Sequence, residues 1–122
     1  MQLLTKAQKE KMIKNHQEQD GTKDFKAVVK LFNPTGNGTW YLSELDPETN
    51  IAFGLCDLGF PELGYVSLDE LSNIKVNMGL GIERDKFFTP KKLIFFKKSL
   101  QLYSKCRNFQ NRFYIVLSIN YL

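Results

Sequence analysis

Four carboxylates crowd the middle of the chain: Glu44 and Asp46 in TWYLSELDPE, Asp57 and Glu62 in CDLGFPELGYV. Oxygen ligands at this density suit Mg²⁺ or Mn²⁺, and two such ions about 4 Å apart would serve phosphodiester hydrolysis. Glu44 and Asp46 are two positions apart, so on a strand they share a face. If the strands flanking Pro47 pair, however, Glu44 falls opposite the start of the second strand and well away from Asp57. That register does not converge the acids on one ion. The competing reading has these acids forming turns, capping backbone N–H groups or facing a partner, with no metal, no cofactor and no catalytic residue.

Nucleophilic chemistry has less to work with. The single histidine, His16, would have to activate Cys56, Ser43 or Ser67 across the fold, and no elbow-type motif surrounds any of them. His16 sits in a polar helical pattern, where a surface position is expected. Cys56, inside an apolar run, reads as a small buried hydrophobe. Gly79-Leu80-Gly81 lacks the spacing and strand–helix context of a phosphate cradle.

Binding is a different matter. Trp40 and Tyr41 beside Glu44 and Asp46 combine aromatic anchors, which dominate interface hot spots, with carboxylates placed where phosphates would sit. Such a surface competes for a basic channel and is steered to it electrostatically. The alternative for Trp40 is a core position. Together, Trp40, Tyr41, Glu44, Asp46, Asp57 and Glu62 form the expected partner-binding set. A second set lies near the C-terminus: Lys97, Lys98, Lys105, Arg107 and Arg112, interleaved with Phe and Tyr, have the composition of a backbone-tracking, base-stacking surface. An acidic body would repel the same nucleic acid.

The charge division is sharp. The net +4 of the 122 residues joins an acidic part, residues 1–85, with nine basic and 13 acidic residues, to residues 86–122, with eight basic and none acidic. No Lys or Arg lies between Lys30 and Lys75, where Glu44, Asp46, Glu48, Asp57, Glu62, Asp69 and Glu70 all fall. The hydrophobic fraction of 43% supplies a core for one domain. No apolar run approaches the roughly 20 residues of a membrane span, no signal-peptide pattern is evident, and Cys56 and Cys106 have no CxxC spacing. These features predict a cytoplasmic protein with reduced thiols and no membrane association.

The elements that must position these residues follow from pattern. Thr5 three residues before Gln8 is a capping box, predicting a helix over about 6–18 that ends at Asp20-Gly21. FKAVVKLF (25–32), TWYLSEL (39–45) and IAFGLCDL (51–58), separated by turn residues, predict an antiparallel meander. Asp46-Pro47-Glu48-Thr49-Asn50 is a turn with Pro at its second position. In CDLGFPELGYV, the glycines and Pro61 turn the chain, Phe60, Leu63 and Tyr65 are expected in the core, and YVSL is a short strand. Ser67 before Glu70 starts a brief helix through about Ile74, and a last strand is expected around 82–88. The class is α+β: a small antiparallel sheet of three to five strands with an N-terminal helix and a short second helix on one face. The domain is placed at 1–92. Residues 93–122 form a basic C-terminal extension with two readings: a genuine helix (about 91–105) and strand (about 112–119), or a tail translated out of frame after an adenine run at Lys91-Lys92.

Four blocks in order, LLTKAQKEKM, VVKLFNPTGNGTWYLSELDPE, IAFGLCDLGFPELGYVSLDEL and GLGIERDKFFTPKK, resemble the domain-of-unknown-function 2958 family of small bacterial proteins over about residues 2–92. Past Lys92 the chain leaves that family's pattern, which usually closes with a short acidic–polar segment. The resemblance implies a habitat on plasmids, phages and integrative elements, often among antirestriction and conjugation genes. It brings no catalytic residues with it. The leading expectation is therefore a non-enzymatic binding protein of a mobile element that docks on a host protein or ribonucleoprotein effector, as an anti-CRISPR or antirestriction inhibitor would. The alternatives are a metal-dependent phosphodiesterase or nuclease using the central carboxylates, and a nucleic-acid-binding conjugation accessory acting through the tail.

Overall fold

Thr5 opens the first helix as an N-cap: its hydroxyl accepts the Gln8 N–H and the Gln8 side chain accepts the Thr5 N–H, at 3.1 and 3.0 Å. This closed capping box starts helix α1, Lys6–Glu18, the span the sequence predicts. The computed structural model describes residues 3–74 and 81–94. Few apolar residues line α1, so its stability comes from where it packs. Met12 is fully buried against the sheet, and Asn15 beside it is buried too. The helix stops at Gln19. Gly21 then takes φ +93°, a left-handed conformation suited to glycine, while Asp20 accepts the Thr22 N–H and hydroxyl.

Four strands follow in β1 Val29–Phe32, β2 Thr39–Asp46, β3 Ile51–Asp57 and β4 Pro61–Ser67, then helix α2 Leu68–Asn73 and strand β5 Glu83–Arg84. All pairings are antiparallel, in the order β4-β3-β2-β1-β5. The expected meander is therefore present, with both helices on one face. The Pro47 turn closes with the Asn50 N–H on the Asp46 carbonyl at 2.8 Å, and Asn50 itself takes φ +58°. Ser67 caps α2 by accepting the Glu70 N–H.

The core has two layers because the sheet is covered on both sides. Trp40, Leu42 and Leu45 of β2, with Val29, Leu31, Ala52, Cys56 and Val66, meet Leu3, Leu4 and Met12 on the α1 side and Leu68, Leu71 and Ile74 on the α2 side. On the other face Tyr41, Phe53, Leu55 and Leu63 pack with Ala27 and Leu93. Leu93 is delivered there by a short return: the Ala27 N–H donates to the Lys91 carbonyl at 2.8 Å, and Lys26 bridges Lys92. The second face needs this cover, since Tyr41 and Phe53 are too large and apolar to leave in water.

Three expectations are corrected. Strand β4 begins at Pro61, not at Tyr65, because proline is tolerated as the first residue of an edge strand. The strand expected over 82–88 shrinks to two residues, since Asp85 turns the chain by accepting the Phe87 N–H. Phe60 is 53% exposed rather than core. Gly59 takes φ +107° in the loop beyond the strand ends, and it is Pro61, not Phe60, that points inward. Leu63 is buried and Tyr65 half-buried, its ring 5.1 Å from Phe53. The C-terminal strand expected over about 112–119 lies outside the described residues, as does the helix expected over about 91–105 from residue 95 on.

Candidate functional site

The register of β2 on β3 decides the fate of the acid cluster. A β-bulge between Leu42 and Glu44 leaves Ser43 as an extra residue, so Glu44 pairs with Phe53 and Asp46 with Ile51, while Asp57 pairs with Thr39. Asp46 and Asp57 thus sit at opposite ends of the sheet, separated by the six steps of β3, about 20 Å. Glu62 pairs with Cys56 and Asp57 with Pro61, so these two acids, near each other in sequence, project from opposite faces. The four carboxylates do not converge. Among the described residues no group of three or more His, Cys, Asp or Glu is placed to hold a metal.

A polar cluster forms instead where the end of α1 crosses the bulge. Asn15 Nδ2 donates to the Ser43 carbonyl at 2.9 Å, supplying a partner where the bulge interrupts the ladder. Gln19 Nε2 donates to Glu44 Oε2 at 2.8 Å, and Glu44 is only 3% exposed. Such burial of a glutamate requires this kind of partner. Ser43 Oγ turns toward the Phe53 carbonyl at 3.4 Å, away from any base. His16 Nε2 lies 4.0 Å from Asp46 Oδ1. Asp46 also accepts the Glu48 N–H at 2.9 Å. That bond, followed by the Thr49 hydroxyl and the His16 charge, holds its carboxyl below the ordinary aspartate value. Sequence reasoning missed Asn15 and Gln19. The available signal was the i, i+4 spacing of two amides one turn on from Met12, on the face the helix buries.

At the other end Asp57 accepts the Gly59 N–H at 3.0 Å, a turn role of the kind the sequence suggested. Trp40 and Tyr41, expected as surface anchors, are 0% and 7% exposed, so the side chains stand in the two core layers rather than on a docking surface. Alternation fixes this: consecutive residues of a central strand covered on both faces are both buried. Among the described residues the Trp40 Nε1–H has no acceptor. Tyr41 packs on Phe88, with Lys30 Nζ 5.8 Å from its ring centre. Burial, then the charges of Asp57 and Asp85, push its phenol above the ordinary value. Burial, and then Glu62, likewise push the Cys56 thiol far up, which makes it unreactive. Lys97, Lys98, Lys105, Arg107 and Arg112 lie outside the described residues.

Between the start of α1 and α2 a groove of about 550 Å³ is lined by Leu3, Leu4, Lys6, Lys9, Leu68 and Ser72, among others. Among the described residues no helix is long and apolar enough to cross a membrane.

With two helices on one side of a five-stranded antiparallel sheet, the chain is a small α+β domain. It belongs to the family described as "Protein of unknown function (DUF2958)", whose profile matches residues 3–100. Neither the curated proteins nor the solved structures contain a match to it.

Proposed function

We propose that this domain is a non-enzymatic binding protein, cytoplasmic and carried by a mobile genetic element, that docks on a host protein or ribonucleoprotein. Its most concrete form is an inhibitor of a host defence nuclease, of the anti-CRISPR or antirestriction type. The observation that carries this reading is the placement of the acids. Asp46, Glu48, Asp69 and Glu70 stand at the Pro47-turn end, where Asn50 ties to Asp69 at 2.7 Å. Asp57 and Glu62 stand at the other end on either side of exposed Phe60. Carboxylates dispersed along residues 31–74, a stretch with no Lys or Arg, suit an encounter with a cationic channel, and they suit ion coordination poorly.

The test is a titration of a purified restriction or CRISPR effector with the full chain. Inhibition that reaches its floor near one equivalent, at once and independently of incubation time, is expected. Loss of the effector's activity that grows with time at substoichiometric amounts would instead mark a catalyst and overturn the reading.

A further inference from the structure

One row of side chains crosses the whole sheet. Glu83 pairs with Phe32, Phe32 with Thr39, Thr39 with Asp57, and Asp57 with Pro61. Directly paired residues share a face, so this row lies on the Tyr41 side, at the sheet end bordered by the Phe60 loop. Pro61 is buried, whereas Glu83, Phe32, Thr39 and Asp57 are all half-exposed. The row therefore presents an aromatic ring and a hydroxyl between two carboxylates. In the next row Lys30 pairs with Tyr41, and its ammonium lies 3.7 Å from Asp85. The basic Arg84 is one step from Glu83 and so belongs to the opposite face; its guanidinium donates to the Leu3 carbonyl at 3.2 Å.

Resting in part on the docking reading above, we propose that this row is the seat of a cationic, extended polypeptide segment of the partner. Glu83 and Asp57 are three strand spacings apart, about 14 Å. An extended chain covers that distance in about four residues, and residues i, i+2 and i+4 of such a chain project to one side. The segment that fits carries Arg or Lys at i and i+4, one on each carboxylate, with an apolar or aromatic residue at i+2 resting on Phe32. Charge complementarity sets the ends and the half-buried Phe32 ring sets the middle. Phe60, in the loop that follows Asp57, extends the apolar contact at one border.

The experiment is a titration of the isotope-labelled full chain, followed by amide chemical shifts, with two peptides of one composition: Arg-Ser-Tyr-Ser-Arg and Arg-Arg-Ser-Ser-Tyr. The first should give saturable shifts centred on Phe32, Thr39, Asp57 and Glu83, and the second should bind at least several-fold more weakly. The double variant D57N/E83Q should weaken the first peptide about tenfold or more, whereas D69N/E70Q on α2 should leave it unchanged. Asn at position 57 keeps the acceptor for the Gly59 N–H, and an unchanged amide spectrum elsewhere shows that the variant is folded. Equal binding of both peptides, shifts centred on Asp46 and Asp69, or no saturable shift overturns the proposal. So do shifts in this row on raising salt without peptide, which would assign the seat to the chain's own basic residues 95–122. A host partner that D57N/E83Q still captures overturns this surface and leaves the docking reading standing. Peptide binding as expected, with no host partner captured by the parent chain, keeps the surface and removes the reading.

Discussion

Replacing Gly54 with alanine tests how tightly the bulge is built. Gly54 pairs with Leu42, the last regular residue before the bulge in β2. A Cβ added there would lie 2.0 Å from the Tyr41 carbonyl oxygen, 2.7 Å from the Leu42 Cα and 2.8 Å from the Tyr41 carbonyl carbon. All three atoms are backbone of a central strand, so no side chain can swing aside and β2 must move off β3. Overpacking of this kind costs about 1–3 kcal/mol. Each ladder group it strands away from water adds about 1–3 kcal/mol. The expected loss is about 3–5 kcal/mol, a large share of the roughly 5–15 kcal/mol that holds a domain together. Urea unfolding of the full chain should show the midpoint falling at nearly constant slope, and the melting temperature should drop by roughly 15 °C or more. Gly36→Ala is the control, since its nearest atom would be the Asn33 side-chain nitrogen at 3.5 Å, an ordinary contact. If G54A unfolds within about 0.5 kcal/mol of the parent, the range of a neutral surface change, the close approach of β2 to β3 is wrong.

Three further outcomes are expected. Asn15→Leu removes the donor to the buried Ser43 carbonyl and should cost about 1–3 kcal/mol in the same assay; a neutral or stabilised variant would show that the carbonyl is satisfied otherwise. Tyr41 has its folded pKa raised above 10.0, so it favours the neutral phenol in the fold. Its contribution to stability is full below that ordinary value and is lost as pH rises through the folded value. Alkaline unfolding followed by tyrosinate absorbance should therefore begin at a higher pH in Y41F than in the parent. An unchanged alkaline limb contradicts this. Cys56 should resist a thiol reagent in the native state and react on unfolding, as its burial and raised pKa require; native labelling at Cys56 would contradict its place in the core.

What the sequence made legible was whatever local chemistry dictates. The Thr5–Gln8 capping box set the start of α1 and Asn33-Pro34 and Asp46-Pro47 set two turns, because these signals act within a few residues. The strands emerged from apolar alternation. The bulge did not, because an extra residue in β2 has no signature in TWYLSEL and is apparent only against its partner strand. With it went the cluster of Asn15, Gln19, Ser43 and Glu44, which joins residues 25 to 28 positions apart. The burial of Trp40 and Tyr41 together was equally hidden: a strand covered on one face would have exposed one of them, and the cover over Tyr41 comes from Phe88 and Leu93, far along the chain. The separation of Asp57 from Glu44 was legible from the Pro47 turn; the separation of Asp57 from Glu62 by the thickness of the sheet required the early start of β4.

The most direct test of the proposed docking function is a capture experiment for a host target. The tagged full chain, incubated with a lysate of its host, treated with nuclease and washed in high salt, should retain a defined protein or ribonucleoprotein. Retention of nucleic acid alone, lost on nuclease treatment or in salt, would contradict the claim that the acidic body is the binding module.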